Sequence, residues 1–340
     1  MEPAPELRIA IVTDAYFPHI SGVATTLKAT CEELEKQGNI VKIIAPRDFP
    51  LVIPAPTYPE IKLTLFPYKH LEKMLDEFKP DSIHVAVEGP LGLAARKYAK
   101  KHKMCYTTAY HTRFPEYVHC RTGIPTSWVY AFARWFHNGG SGVMVAAHSL
   151  IKELEGHGFK NLRYWPRGVD SELFSPENPV TLTGEHPIFM YMGRVSVEKN
   201  LDAFLSLDLP GTKYIVGDGP ARKVLEKKYP NAVFTGYKFG KELAQHVAAA
   251  DVFVFPSLTD TLGLVMLEAN ACGVPVAALP SQASSTVIKD GENGIVSADL
   301  KDACLRALKL SRERARTIAI EAGWKEPTEL FLKNLVCAVE

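Results

Sequence analysis

The sequence predicts an α/β protein of two Rossmann-like domains facing across a cleft, and three observations carry that prediction. At 340 residues the chain is about twice the length of a typical single domain. Short aliphatic runs alternate with amphipathic stretches along most of it, the βαβ pattern of parallel sheets. The alternation pauses once, over 167–187, where three prolines and several turn formers read as an interdomain linker.

The elements follow in order. RIAIV (8–12) is aliphatic throughout, as a strand buried on both faces must be. A helix near 22–37 leads to a strand at IVKIIAP (40–46), and further strands fit SIHVAV (82–87), CYTTAY (105–110) and GVMVAA (142–147). After the pause, strands restart at PIFMYMGR (187–194), KYIVGDG (213–219), AVFTG (232–236), DVFVFPS (251–257) and VPVAAL (274–279). A helical tail, GWKEPTELFLKNLVCAV (323–339), closes the chain. The expected divisions are 1–172, 173–322 and a C-terminal helix over 323–340 that packs back on the first domain.

Hydrophobic residues at 46% and charged residues at 23% exclude a disordered or fibrous chain. Lys plus Arg number 39 against 38 Asp plus Glu, a net charge of +1, which argues against a general nucleic-acid binder. The N-terminus lacks the basic start and apolar stretch of a secretory signal, and no run approaches a membrane span, so a cytoplasmic protein is expected. Six scattered cysteines show no metal-ligand spacing and read as buried small thiols.

Two nucleotide-binding loops are absent. No GxxxxGK precedes Ser or Thr, and the GxG at Gly217 and Gly219 continues to Arg222 where the dinucleotide fingerprint needs its third glycine. That GxG reads as a strand-to-helix turn. SLTDTLGLVMLEANACGVPVAAL (257–279) is more informative. A strand ends near Phe255, a polar loop carries Asp260, and Gly263 opens a helix bearing Glu268. Backbone N–H groups at Thr261, Leu262 and Gly263, with the helix start, make a seat for a diphosphate or sugar hydroxyls. A capping Asp and a solvated helix Glu are the plainer reading of the same residues.

DTLGLVMLE (260–268) resembles the acidic-x7-acidic signature of family-four retaining glycosyltransferases, which have the GT-B fold. The resemblance extends through TDAYFPHISGV (13–23), EGPLG (88–92), AYHTRFPEY (109–117), RGVD (167–170), YMGRVSVEKN (191–200) and GDGP (217–220). It is strongest toward GDP-mannose-dependent α-mannosyltransferases and bacterial glycolipid glycosyltransferases. The resemblance implies that Glu268 holds the donor ribose and Asp260 the donor sugar, with Asp where many members have Glu. Arg194 and Lys199 match the cationic pair that neutralises the diphosphate, in place of a metal. Gly22 matches a glycine approaching the diphosphate from the other domain, preceded here by Ser21. His111 matches a histidine set against the transferring sugar. Asp14, Tyr16, His19, Glu88 and Arg113 fall on the acceptor side, with Glu116 and Tyr117 near them, although turn and capping roles suit several equally.

The implied reaction is a metal-independent, front-face hexosyl transfer from a nucleoside-diphosphate sugar to a lipid-linked or saccharide acceptor. Mannose is favoured, with a UDP-glucose or UDP-glucuronate dependent diacylglycerol glycosyltransferase as the alternative. An inverting enzyme and a non-catalytic nucleotide-sugar binding protein are the remaining rivals. No cofactor is expected, and the chain has no DxD motif for a metal. Residues 1–170 hold 21 Lys plus Arg against 17 Asp plus Glu, giving +4, so the remainder is −3. The cluster ARKYAKKHK (95–103) is a candidate peripheral membrane contact, or else an ordinary solvated helix face.

Overall fold

The computed structural model describes residues 6–17, 21–55 and 58–335. Two compact units divide the chain, Met1–Pro166 with Trp324–Glu340 forming one and Arg167–Gly323 the other. The first boundary thus falls at Pro166 rather than after 172, and the second at Gly323 rather than 322. His19 lies outside the described residues.

The first unit contains strands β1 (Arg8–Val12), β2 (Ile40–Ile44), β3 (Val52–Ala55), β4 (Tyr58–Thr64), β5 (Ser82–Val85), β6 (Tyr106–Tyr110), β7 (Gly142–Val145) and β8 (Leu162–Tyr164). Its helices are α1 (Gly22–Lys36), α2 (Tyr68–Phe78), α3 (Pro90–Lys101), α4 (Phe114–Thr122), α5 (Thr126–His137) and α6 (His148–Gly156). Six strands form a parallel sheet in the order β2-β1-β5-β6-β7-β8.

Alternation along β1 explains why its run is aliphatic at every position. Ala10 and Val12 pack in a layer with Leu71, Leu75, Leu91 and Ala95 of α2 and α3. Ile9 and Ile11 enter the opposite layer with Leu27 and Leu34 of α1 and Phe331 and Leu335 of the C-terminal tail. A strand covered on both faces has no polar side to show. Ser21 starts α1 as its N-cap, its Oγ accepting from Ala24 N at 3.2 Å. Such a cap contributes about 1 kcal/mol, so the hydroxyl has a structural task of its own.

The second unit contains β9 (Ile188–Met192), β10 (Thr212–Val216), β11 (Val233–Gly236), β12 (Val252–Phe255), β13 (Val276–Ala278) and β14 (Gly294–Val296). Among them run α7 (Leu201–Leu205), α8 (Arg222–Lys228), α9 (Gly240–Ala248), α10 (Leu264–Ala271) and α11 (Gln282–Val287), then α12 (Leu300–Ala307) and α13 (Arg312–Ile320). The parallel order is β11-β10-β9-β12-β13-β14, reversing direction between β9 and β12. The first sheet reverses between β1 and β5. In open α/β sheets ligands bind beyond the carboxyl ends of the strands at such points. Helix α14 (Lys325–Leu335) packs on α1 and on β5, β6 and β7 of the first unit.

Three features depart from the sequence reading. β3 and β4 form a separate antiparallel hairpin, in a stretch where Pro54 and Pro59 mask any strand pattern. β8 and β14 are three-residue strands, too short to show a period. Cys31, Cys272 and Cys304 are free and buried as expected, but Cys105 is disulfide-bonded, so the thiol reading fails there.

Candidate active site

Each unit brings sequence-predicted residues to the carboxyl ends of its own strands, and the two groups are best taken separately. In the first unit Asp14 follows β1, Glu88 follows β5 and His111 follows β6.

Asp14 is 7% exposed, and its Oδ1 and Oδ2 accept from Leu91 N at 3.1 Å and Gly92 N at 3.3 Å. It therefore caps the start of α3 from across the sheet, a long-range form of helix capping. Burial pushes its pKa up to about 7, against the opposing pull of the two N–H groups. The contact also accounts for Gly89, where a Cβ would come within 2.2 Å of Asp14 Oδ2. Glu88 is tied inward as well. His137 bridges two groups, its Nε2 hydrogen-bonded with Glu88 Oε1 at 2.9 Å and its Nδ1 with the Thr108 hydroxyl at 2.8 Å.

Tyr16 is buried, edge-on to Phe17, with the Arg47 guanidinium over its face at 5.1 Å. Arg113 donates from both Nη atoms to Glu153, at 3.0 and 2.6 Å, a bidentate pair that holds the start of α4 against α6. Acceptor-side roles for Tyr16 and Arg113 therefore compete with clear packing roles. Gly22 is the first residue of α1, directly after its capping serine.

His111 is partly buried and rests on aromatic rings that its sequence neighbourhood does not reveal. Its imidazole meets Trp165 edge-on, 5.7 Å between centroids. Trp165 is fully buried and lies 5.8 Å from His84 and 4.9 Å from Phe331. The floor under His111 thus comes from β5, the chain after β8, and α14.

The second unit assembles its group from two stitched loops. Beyond β9, Arg194 and Lys199 lie on a segment that ends in a single 3₁₀ turn at Val197–Lys199. Asn200, at φ 55°, donates its Nδ2 to Pro256 O at 3.1 Å, and Thr259 Oγ1 donates to Glu198 O at 3.3 Å. These bonds fasten the segment to the loop after β12. Lys199 Nζ consequently reaches Asp260 Oδ1 at 2.5 Å, with both side chains about four-fifths buried. Asp260 Oδ2 is buried without a hydrogen-bond partner.

The loop ends at Thr261, Leu262 and Gly263, the last being the N-cap of α10 at φ 72°. A Cβ there would meet Met266 Cε at 2.8 Å and Phe255 Cζ at 2.9 Å, so both conformation and space require glycine. In the first turn of α10 Met266 N already donates to Gly263 O at 2.9 Å, which leaves the N–H groups of Leu264 and Val265 at the helix start without intrahelical partners. Glu268 lies on this helix. The residue is half-buried, and neither a hydrogen bond nor a neighbouring charge acts on its carboxyl, only burial. Burial pushes its pKa up to about 7.

Sequence reasoning missed several members of this group. Gly217 and Gly219 are more than a turn. A Cβ on Gly217 would sit 1.8 Å from Gly193 O, and one on Gly219 would sit 2.4 Å from Val195 O. The two glycines let the loop after β10 lie against the Arg194 loop, joined by Val195 N to Asp218 O at 2.9 Å. Ser196 and Ser257 are buried with hydroxyls that lack partners, one beside Arg194 and one after β12. Nothing distinguishes such serines in a sequence until their burial is known. Among the described residues no three His, Cys, Asp or Glu side chains group as metal ligands would.

Comparison with known proteins places these loops in context. The chain matches the model "Glycosyltransferase Family 4" over residues 20–173 and "Glycosyl transferases group 1" over residues 186–310. It is 30% identical to a GDP-mannose-dependent alpha-mannosyltransferase of Corynebacterium glutamicum over 87% of this chain and 78% of that one. It is also 30% identical to the alpha-monoglucosyldiacylglycerol synthase of Streptococcus pneumoniae, over 89% and 78%. Its fold matches the sucrose-phosphate synthase of Thermosynechococcus elongatus at a TM-score of 0.76 and 19% identity, covering 96% of this chain and 98% of the other. With two parallel α/β units and relatives of this kind over most of its length, the chain belongs to the family 4 glycosyltransferases of GT-B fold.

Proposed function

We propose that this glycosyltransferase moves a hexose, with mannose favoured, from a nucleoside-diphosphate sugar to a lipid-linked or saccharide acceptor, with retention and without a metal. The observation that supports the reading is the Lys199–Asp260 pair, made where the loop after β9, which also carries Arg194, is stitched to the loop after β12, which leads into the helix that carries Glu268. Glu268 accepts from the ribose hydroxyls. Arg194 and Lys199 neutralise the diphosphate as its charge grows, helped by N–H groups at Thr261, Leu262 and Gly263. Lys199 has three N–H donors, so its bond to Asp260 leaves it able to serve a phosphate. Asp260 binds sugar hydroxyls through its unpartnered oxygen.

In the transfer the bond from the anomeric carbon to the leaving phosphate breaks. The acceptor oxygen bonds to that carbon on the same face, and its proton passes to the departing phosphate. By the family resemblance His111 serves the transferring sugar and Gly22 the diphosphate. Asp260 and Glu268 are binders in this scheme, so a glycosidase-type acid pair is not required. GDP-mannose is favoured by the named activity of the Corynebacterium relative. The named glucosyldiacylglycerol product of the Streptococcus relative supports the alternative, a UDP-hexose donor with a diacylglycerol acceptor.

A cytoplasmic enzyme that meets the inner membrane face through the helix carrying 95–103 suits a lipid acceptor. No helix among the described residues is long and apolar enough to cross a membrane. Arg194→Ala and Glu268→Ala should each lose most turnover, read as nucleoside diphosphate release, and near wild-type rates in both would refute the assignment. A thermal-shift panel of GDP, UDP, ADP and their hexose conjugates identifies the donor, because a ligand raises the melting temperature by mass action.

A further inference from the structure

The basic stretch 95–103 is not one solvated face. Helix α3 divides it into two stripes four residues apart. Lys97 and Lys101 face α2, with Lys97 Nζ 4.3 Å from the Tyr68 ring centroid and Lys101 paired with Glu72 at 2.8 Å. Arg96 and Lys100 instead line a groove of about 880 Å³ shared with α5 and the segment after α6. Arg134, Trp135, Asn138, His157 and Lys160 complete its polar and aromatic lining, and no carboxylate lines it.

The groove is built rather than incidental. Arg96 is only 8% exposed. Its guanidinium lies 3.8 Å from the Trp135 ring centroid, Nη2 donates to Trp135 O at 3.2 Å, and Nε is buried without a hydrogen-bond partner. Gly139 leaves room for it, since a Cβ there would sit 2.7 Å from Tyr106 Oη and 3.0 Å from Arg96 Nη2. The far wall is clamped. Arg134 Nη1 donates to His157 O at 2.9 Å, Asn138 Nδ2 to Gly158 O at 3.0 Å, and Lys160 N to Asn138 Oδ1 at 2.9 Å.

A cation this deeply buried ordinarily has a carboxylate beside it, because removing a charge from water is costly. Stacking on Trp135 offsets part of that cost. Three further cations nearby add repulsion, and among the described residues none of the four is ion-paired. An anion with several oxygens answers the surplus. Trp128, Phe132 and Trp135 meanwhile form a stripe at i, i+4 and i+7 on α5, with Trp128 72% and Trp135 53% exposed. Exposed tryptophans beside basic residues characterise surfaces that lie in a membrane interface.

We propose that the groove of Arg96, Lys100, Arg134 and Lys160 binds a phosphate ester anion, presented as a phospholipid headgroup while the α5 stripe enters the interface. The inference deepens the membrane contact proposed above and rests on it, though the groove shares no residue with the donor group.

The test uses the full chain with vesicles of phosphatidylcholine and phosphatidylglycerol, against phosphatidylcholine alone. Lys100→Gln with Lys160→Gln should weaken binding to the anionic vesicles roughly 30-fold, at the usual contribution of a basic residue near a charged surface. Lys97→Gln with Lys101→Gln removes the same charge from the other stripe of α3 and should change binding less than about threefold. If wild type ignores vesicles, the headgroup proposal is overturned, even where glycerol phosphate raises the melting temperature of wild type and not of the Lys100/Lys160 variant, a result that would assign the groove to a soluble ester instead. Equal losses in the two variants, or no response to either probe, overturn the proposal. A GDP and UDP thermal shift on the same samples reports on the donor group, so failure of the groove is distinguishable from failure of the transferase reading.

Discussion

Glu268→Gln should stabilise the ligand-free protein at alkaline pH while abolishing its response to nucleotide. Burial raises the Glu268 pKa from an ordinary 4.5 to about 7. A carboxyl with a raised folded pKa binds its proton more tightly folded than unfolded, so its ionisation favours the unfolded chain. Below about pH 4.5 both states are protonated and the group contributes nothing. Stability is lost as pH rises between 4.5 and about 7, and above 7 the loss is complete. At 1.36 kcal/mol per pH unit the full loss is about 3 kcal/mol, an upper value because Glu268 is only half-buried. The glutamine never ionises. Urea denaturation followed by circular dichroism should show the variant ahead by up to about 3 kcal/mol at pH 8 and by less than about 1 kcal/mol at pH 5. Asp14 also has a raised pKa, but it is present in both proteins and cancels in the difference. A gap that does not change with pH would refute the reasoning. So would a variant that keeps its nucleotide-induced thermal shift, since the carboxylate is then not the ribose acceptor.

Three other outcomes are expected. Phe331→Ala removes a fully buried ring from the floor under Trp165 and His111 and should cost about 3–5 kcal/mol in the first unit. Tryptophan fluorescence and turnover should change together, and an unchanged unfolding midpoint would contradict it. Gly217→Ala drives a methyl into Gly193 O and should cost about 1–3 kcal/mol by overpacking, with loss of the GDP or UDP thermal shift. Retention of that shift would separate the GxG from donor binding. Arg113→Ala leaves Glu153 without its bidentate partner and should cost about 1–3 kcal/mol, with acceptor KM unchanged. A raised acceptor KM at unaltered stability would return Arg113 to the acceptor.

The central strands were legible because burial on both faces leaves a run such as RIAIV no alternative, and β1 occupies those same residues, Arg8–Val12. The hairpin β3–β4 was not, since its prolines and exposed apolar residues imitate a loop. At the candidate site the sequence shows which groups stand near each strand end, through spacing. It cannot show which of them the fold already occupies. Asp14 and Leu91 are far apart in sequence, and only the sheet reveals that the carboxylate caps α3. Glu88 with His137 and Lys199 with Asp260 are likewise pairs made by tertiary structure. The two glycines of GDGP illustrate the same limit. Their spacing suggested a turn, whereas their necessity comes from carbonyls on another loop.

The first unit is completed by residues that follow the second. The backbone leaves it at Pro166 and returns at Trp324, and Val169 N meets Ala322 O at 2.8 Å where the inserted unit begins and ends. A ribosome therefore releases Trp165 long before Phe331, the ring that covers it, has been made. The whole second unit, Arg167–Gly323, emerges in between as a contiguous segment that can fold while its host waits with an open seam. Maturation of the unit that bears His111 comes last, and a nascent chain stalled before residue 331 holds a complete second unit and an unfinished first one.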